Sequence, residues 1–384
     1  MDSIGLFAGI GGFELGLESA GANPILFSEI EPSAQNVLKH WKPAVPIEHD
    51  VRDMVSLPIA DCLAAGFPCQ NLSPSGDKAG ISGAKSSLVQ HVFRLLRDRR
   101  IEWVLLENVP YALELHGGTG IKAVTEGLES LGYKWAYRVV NSEWFGVPQR
   151  RRRIFILASQ SHDPRHVLLA DNAHVRPQPR ADEICATTTD IGFYWTEGKG
   201  GLGLGVNSIP PLKAGSTIGI PSPPAILLAN GTLGTPDIRD AERLQGLPEN
   251  WTAPGSGFAK NGRWRLTGNA VTLGVVRWIG ERMVRPGRYN PFQDEPIYTA
   301  DRWPRAAWNM GNGVFASNVS ENPLDIPMPR IGDFLRHPLQ PLSARATAGF
   351  LKRARSGSLR FPKHFLERVQ AHLDAMNGPS LFAT

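Results

Sequence analysis

The chain has 384 residues, 42% of them hydrophobic, and a net charge of +5, which is more than one ordinary core holds and predicts two domains plus an appendage. It carries no run of 18 apolar residues, and its N-terminus enters an apolar strand without the basic start of a signal peptide, so a cytoplasmic protein with no membrane span is expected. Its three cysteines (Cys62, Cys69, Cys185) are odd in number and lack metal-ligand spacing, which argues against a disulfide framework and against a zinc site.

Short apolar runs at Ser3–Phe7, Pro24–Ser28, Cys62–Ala65, Trp103–Leu106, Lys134–Val140 and Arg153–Ala158 alternate with helix-like stretches. This alternation predicts an α/β fold with a doubly wound, mostly parallel sheet over residues 1–158. Between 159 and 236, Gly198-Lys199-Gly200-Gly201, Pro210-Pro211, Pro221, Pro223 and Pro224 break every long period, giving a smaller loop-rich module. Patterning returns at 237–285. Asp237 can cap a helix through Ala241, Leu244 and Gln245, and Val271–Met283 reads as a second helix. Residues 286–384 form an extension, a Pro-rich connector followed by a basic helical stretch.

Chemistry is suggested first by Leu6-Phe7-Ala8-Gly9-Ile10-Gly11-Gly12-Phe13, which joins the first strand to the helix Glu14–Ala20. Glycines at such a turn let a ligand approach the backbone with a helix N-terminus behind it. Glu29 closes the second strand and Asp50 stands where the third should end. An acid at the second strand end suits a ribose diol, so the set reads as a nucleoside site, open to a methionine-sulfonium or a nicotinamide cofactor. The strand Cys62–Phe67 leads into Pro68-Cys69-Gln70-Asn71, which puts one thiol at the carboxyl edge of the sheet, whereas Cys62 and Cys185 read as inert core residues. Leu106-Glu107-Asn108-Val109 places a carboxylate at the same edge. In Gln149-Arg150-Arg151-Arg152-Arg153, strand alternation would send Arg151 and Arg153 to one face.

The ordered series Phe7–Gly12, Gly66-Phe67-Pro68-Cys69-Gln70, Glu107-Asn108-Val109, Gln149–Arg153, Arg243-Leu244-Gln245-Gly246-Leu247-Pro248 and Gly268-Asn269-Ala270-Val271 resembles the DNA (cytosine-5) methyltransferase family. The resemblance implies transfer of a methyl group from S-adenosyl-L-methionine to C5 of a flipped-out cytosine in a specific double-stranded DNA sequence. It implies that Cys69 is the nucleophile, that Glu107 contacts the N3 edge of the base, and that Arg151 and Arg153 hold the base or the catalytic loop, Arg153 towards O2. Phe7, Gly9, Gly11, Glu29, Ile30, Asp50 and Asn269 fall where the family binds the cofactor. Residues 1–158 and 237–285 correspond to the catalytic domain and 159–236 to the target-recognition domain, with Lys199 and Lys213 as candidates to reach base edges. The segment Pro210-Pro211-Leu212 departs from the Thr-Leu usual near the centre of that domain.

The residue types suit this chemistry. Cytosine C5 is a poor nucleophile until a thiolate adds at C6, and the charge that then develops needs a proton or hydrogen bond at N3 and a cation at O2. Glu107 is expected to be buried against the base so that it can donate. The expected partners are double-stranded DNA and, where the enzyme serves restriction-modification, a cognate restriction endonuclease; a monomer is expected. RNA cytosine C5 methylation and a non-catalytic DNA-binding relative are the competing readings. In the tail, seven Lys or Arg from Arg345 to Arg368 stand against one acid, Glu367, with Phe350, Phe361 and Phe365 interleaved. That pattern suits either phosphate contact or a helix docked by its aromatics.

Overall fold

The computed structural model describes residues 1–67, 88–173, 177, 179–180, 182–214, 223–258, 262–297 and 302–378. In chain order the elements are β1 (Asp2–Leu6), α1 (Gly12–Glu18), β2 (Asn23–Ser28), α2 (Pro32–Trp41), β3 (Ile47–Glu48), β4 (Cys62–Gly66), α3 (Leu88–Asp98), β5 (Trp103–Asn108), α4 (Thr119–Ser130), β6 (Lys134–Asn141), β7 (Arg152–Ser159) and α5 (Arg165–Leu168). They continue with β8 (Ile191–Phe193), β9 (Gly205–Val206), β10 (Ala225–Leu227), β11 (Leu233–Thr235), α6 (Ile238–Leu244), α7 (Gly262–Asn269), α8 (Leu273–Val284), β12 (Glu295–Pro296), β13 (Ala306–Asn309), β14 (Val314–Ala316), α9 (Ile331–Phe334), β15 (Gln340–Pro341), α10 (Ala344–Ser356) and α11 (Phe365–Asn377).

These elements fall into two compact units, Met1–Asn141 with Arg152–Val175 and Leu273–Asp325, and Ser142–Arg151 with Arg176–Thr272 and Ile326–Thr384. The stretch expected as a single extension from 286 is therefore divided at 325.

In the first unit one sheet runs β12-β14-β13-β6-β7-β5-β4-β1-β2-β3. The five strands β3-β2-β1-β4-β5 are parallel, and β7 lies antiparallel between β5 and β6. The parallel strands read as apolar runs because both faces are covered. On one face α3 presents Val89, Val92, Phe93 and Leu96, and α4 presents Ile121, Val124 and Leu128, spacings that put each set on one helical side. These side chains pack with Ile4, Leu6, Leu63, Val104 and Leu106 in one buried cluster.

Helices α1 and α8 pack on each other through glycines. A Cβ on Gly16 would stand 2.6 Å from Val276, and one on Gly280 2.9 Å from the Ala20 methyl, so the helices approach as closely as their backbones allow. The helix expected at Val271–Met283 thus begins two residues later. Strands β12 to β14 were not foreseen, because runs of two to four residues carry too little alternation to stand out.

The second unit holds the antiparallel sheet β15-β11-β10-β8-β9. Ile191, Phe193, Ala225 and Leu227 from its strands pack with Phe350, Leu351, Phe365 and Val369 from α10 and α11. The aromatics of the basic stretch are therefore core residues of this unit. Asp237 caps α6 as expected, its Oδ1 accepting from the Arg239 N–H at 2.9 Å. Among the described residues no helix is long and apolar enough to cross a membrane.

Candidate active site

The turn after β1 is built from backbone that side chains seldom adopt. Phe7 (φ 53°), Gly9 (φ 57°) and Gly11 (φ 81°) are all left-handed, with Ala8 and Ile10 between them. N–H groups of the turn are used within the protein, Ala8 donating to the Ser28 carbonyl at 3.0 Å and Gly11 to the Ala8 carbonyl at 2.9 Å, while Phe7, a bulky residue at positive φ, is a strained position of the sort that gathers at ligand sites. Open space adjoins Gly9, with nothing within 4 Å of where a Cβ would stand.

Glu29, at the end of the adjacent β2, binds this turn directly. Its Oε2 accepts from the Gly9 N–H at 2.7 Å and its Oε1 from the Glu31 N–H at 2.8 Å. Burial raises the pKa of this carboxyl, against the backbone donors of Glu31, Gly9 and Ile30 that lower it. Ile30 next to it is half exposed, an apolar side chain left uncovered beside the acid. Asp50 is held by Arg52, whose Nε lies 3.0 and 2.9 Å from the two carboxylate oxygens and whose guanidinium lowers the Asp50 pKa. Arg52 had no part in the sequence reading. A strained glycine turn with open space at Gly9, a buried acid, an exposed apolar side chain and a second acid fit a cofactor that joins an amino acid to a nucleoside.

At the other end of the same edge, Gly66 pairs with Glu107 in the β4–β5 register. A Cβ on Gly66 would lie 3.3 Å from the Phe13 ring and 3.6 Å from Glu107 Oε2, so the carboxylate stands beside this glycine. Arg153, near the start of β7, places its Nε 2.9 Å from Glu107 Oε1. Asn108 Nδ2 donates to the Phe67 carbonyl at 3.0 Å, tying the end of β5 to the residue that precedes Pro68-Cys69. Cys69 itself lies outside the described residues.

Arg151 is held within the second unit. It is buried, and its guanidinium donates to the carbonyls of Leu212 (3.0 Å), Gly268 (3.2 Å) and Ala270 (2.8 Å). The strand begins only at Arg152, so period-two alternation does not extend back to Arg151. It joins three segments of the second unit. Gln149 works beside it, donating to the Leu244 carbonyl (2.9 Å) and accepting from the Leu212 N–H (2.8 Å), a role that only its place in the motif hinted at. Arg152 pairs with Glu321, and Arg150 is exposed.

Asn269 ends α7 in the second unit and is exposed. Lys213 is engaged within its own unit, 3.0 Å from Glu197 Oε1 and over the Tyr194 ring at 3.6 Å, while Lys199 is exposed. Cys62 is buried and its thiol is pushed up to about 12 by desolvation, which makes it inert. Cys185, expected in the core, is instead partly exposed, 3.0 Å from the Thr187 hydroxyl, which lowers its pKa.

A buried acid beside the turn after β1 carries no signal in the sequence. Glu14 in α1 is buried, neither carboxyl oxygen has a side-chain or backbone hydrogen-bond partner among the other described residues, and the absent Cβ of Gly5 makes the space it fills. Desolvation pushes it up to about 8. An acid on a short helix reads as solvated, so no sequence signal marked it.

A family model for C-5 cytosine-specific DNA methylases matches residues 1–192. Type II methyltransferase M2.BsuMI of Bacillus subtilis (strain 168) is 42% identical over 381 residues, covering 96% of this chain and 97% of that protein. The chain belongs to the C-5 cytosine-specific DNA methylase family. It is a DNA cytosine-C5 methyltransferase, and S-adenosylmethionine is its methyl donor. Type II methyltransferase M.HhaI of Haemophilus parahaemolyticus is 25% identical over 321 residues, 75% of this methylase and 96% of that protein. The crystal structure of S. pombe Dnmt2 methyltransferase matches with a TM-score of 0.54 at 14% identity, covering 74% of this methylase and 98% of that chain, a likeness of fold.

Proposed function

We propose that Cys69, Glu107 and Arg153 carry a covalent methyl transfer to a cytosine flipped out of a specific double-stranded sequence. The observation that supports this most is the pairing of Glu107 with Arg153 at 2.9 Å, at the strand end that Asn108 ties to Phe67. N3 and O2 are neighbours on the cytosine ring, and an acid and a guanidinium side by side match them.

In this reading the Cys69 thiolate forms a bond to C6, and the electron pair of the C5–C6 double bond becomes available at C5. Charge developing towards N3 and O2 is met by Glu107 and Arg153. S-adenosylmethionine supplies an electrophilic methyl group from its sulfonium sulfur. Loss of the C5 proton then lets Cys69 depart as the ring double bond returns. Extruding the base costs about a few kcal/mol, repaid by such contacts.

Phe7, Gly9, Gly11, Glu29, Ile30, Asp50 and Asn269 are the proposed cofactor contacts, Glu29 for the ribose hydroxyls, with Asp50 available only while it shares its carboxylate with Arg52. Residues 159–236 are proposed to read the DNA sequence, and 1–158 with 237–285 to hold the chemistry. The names of the relatives support a type II restriction-modification setting, and a cognate endonuclease as partner, a monomeric enzyme and a cytoplasmic location are proposed with it. Bisulfite sequencing of DNA from cells expressing the chain tests the reading. It should reveal 5-methylcytosine at one recurrent sequence, and a pattern no different from cells carrying an inactive Cys69→Ser chain would overturn it.

A further inference from the structure

We infer that the outer face of α10 and the connector to α11 is a second, sequence-independent contact surface for DNA phosphates, an inference that rests on the reading of the chain as a DNA methylase. From Ala344 to Phe365 there are six Lys or Arg and no Asp or Glu. The structure sorts these residues by face. Phe350, Leu351, Ala354 and Phe365 turn inward, with Phe350 and Phe365 at 4.9 and 5.0 Å from the Phe193 ring, so the apolar half of the segment is already used.

The cations sort as well. Arg353 turns back to the carbonyls of Trp195 (2.7 Å) and Glu197 (3.1 Å), which makes it a structural arginine. Arg355 donates to Gln370, a neutral partner. Arg345, Lys352, Arg360 and Lys363 are exposed, and among the described residues none of them forms an ion pair. Of the acids on neighbouring elements, Glu197 pairs with Lys213 at 3.0 Å, Glu367 meets His364 at 2.7 Å, Asp182 pairs with Arg180 at 3.4 Å, Glu183 accepts from the Arg180 N–H at 2.9 Å, and Asp374 accepts from Gln370 at 2.8 Å. The segment itself thus presents these four exposed cations and no acid.

Its lack of an apolar centre separates DNA from a protein partner. Leu359, Phe361 and Leu366 are partly buried against the core, and no large hydrophobic side chain between Ala344 and Phe365 is exposed. Protein interfaces are built around buried aromatic and aliphatic anchors, whereas a polyanion needs only spaced cations whose contacts release counterions.

The test uses the full chain with Arg345, Lys352, Arg360 and Lys363 all changed to Gln, and a duplex without the methylation site. The slope of log affinity against log salt should fall by about 2 to 4 relative to the unmodified chain. The unfolding temperature should stay the same, since the four side chains hold nothing in place, and the charge-keeping variant Lys352→Arg/Lys363→Arg should keep the original slope. An unchanged slope in the folded quadruple variant overturns the inference. Should the quadruple variant not fold, the double variant Lys352→Gln/Lys363→Gln is read instead, with a fall of about 1 to 2 supporting the inference and no fall overturning it. If the unmodified chain itself shows no salt-dependent affinity for DNA, the methylase reading is what fails.

Discussion

Arg153 Nε stands 2.9 Å from Glu107 Oε1, joining the end of β5 to the start of β7. Because the two side chains form one unit, their losses should not add. Glu107→Gln and Arg153→Met are each expected to lower kcat by about 100-fold or more, and the double variant by about as much as the worse single change. Cofactor affinity should be unaffected in all three. Single-turnover methylation with a duplex carrying the site measures this, and costs that multiply would show that the two groups act independently.

The parallel strands were legible because runs such as Val104-Leu105-Leu106 are apolar on both faces, and the Asp237 cap was legible because its chemistry is local. Other features depend on distant residues. Arg151 could not be told from Arg153 by spacing, since its carbonyl partners at 212, 268 and 270 come together only in the fold. Glu14 hides for a like reason, its burial depending on Gly5 of the neighbouring strand. Strands β12 to β14 pair only after β6 offers an edge.

Glu29 accepts the Gly9 N–H at 2.7 Å, so it shapes the turn after β1 as well as offering oxygen to a ribose. Glu29→Ala should therefore weaken S-adenosylmethionine binding by about 1–3 kcal/mol, with Glu29→Gln retaining part of the affinity. Isothermal titration of the folded variants reads this directly. Affinity equal to that of the unmodified chain in Glu29→Ala would remove Glu29 from the cofactor site.

Glu14, raised from 4.5 to about 8 by burial, makes folding depend on pH. Below pH 4.5 the folded and unfolded chains both hold the proton, and the group has no effect. Between 4.5 and about 8 only the folded chain keeps it, so stability declines as pH rises, and above 8 the loss is complete. The total is on the order of a few kcal/mol. Glu14→Gln should thus raise the unfolding temperature at pH 8.5 far more than at pH 5. Equal shifts at both pH values would mean that the buried carboxyl is not the titrating group.

The most direct test of the account is the fate of a duplex with 5-fluorocytosine at the methylated position. If Cys69 adds to C6 and the C5 hydrogen must later leave as a proton, fluorine blocks that departure after methyl transfer, because it cannot leave as a cation. The account predicts an enzyme–DNA adduct that survives a denaturing gel, forms only with S-adenosylmethionine present, and is missing in Cys69→Ser. Methyl transfer to the fluorinated site with repeated turnover and no adduct would contradict the covalent route and the roles given to Cys69, Glu107 and Arg153.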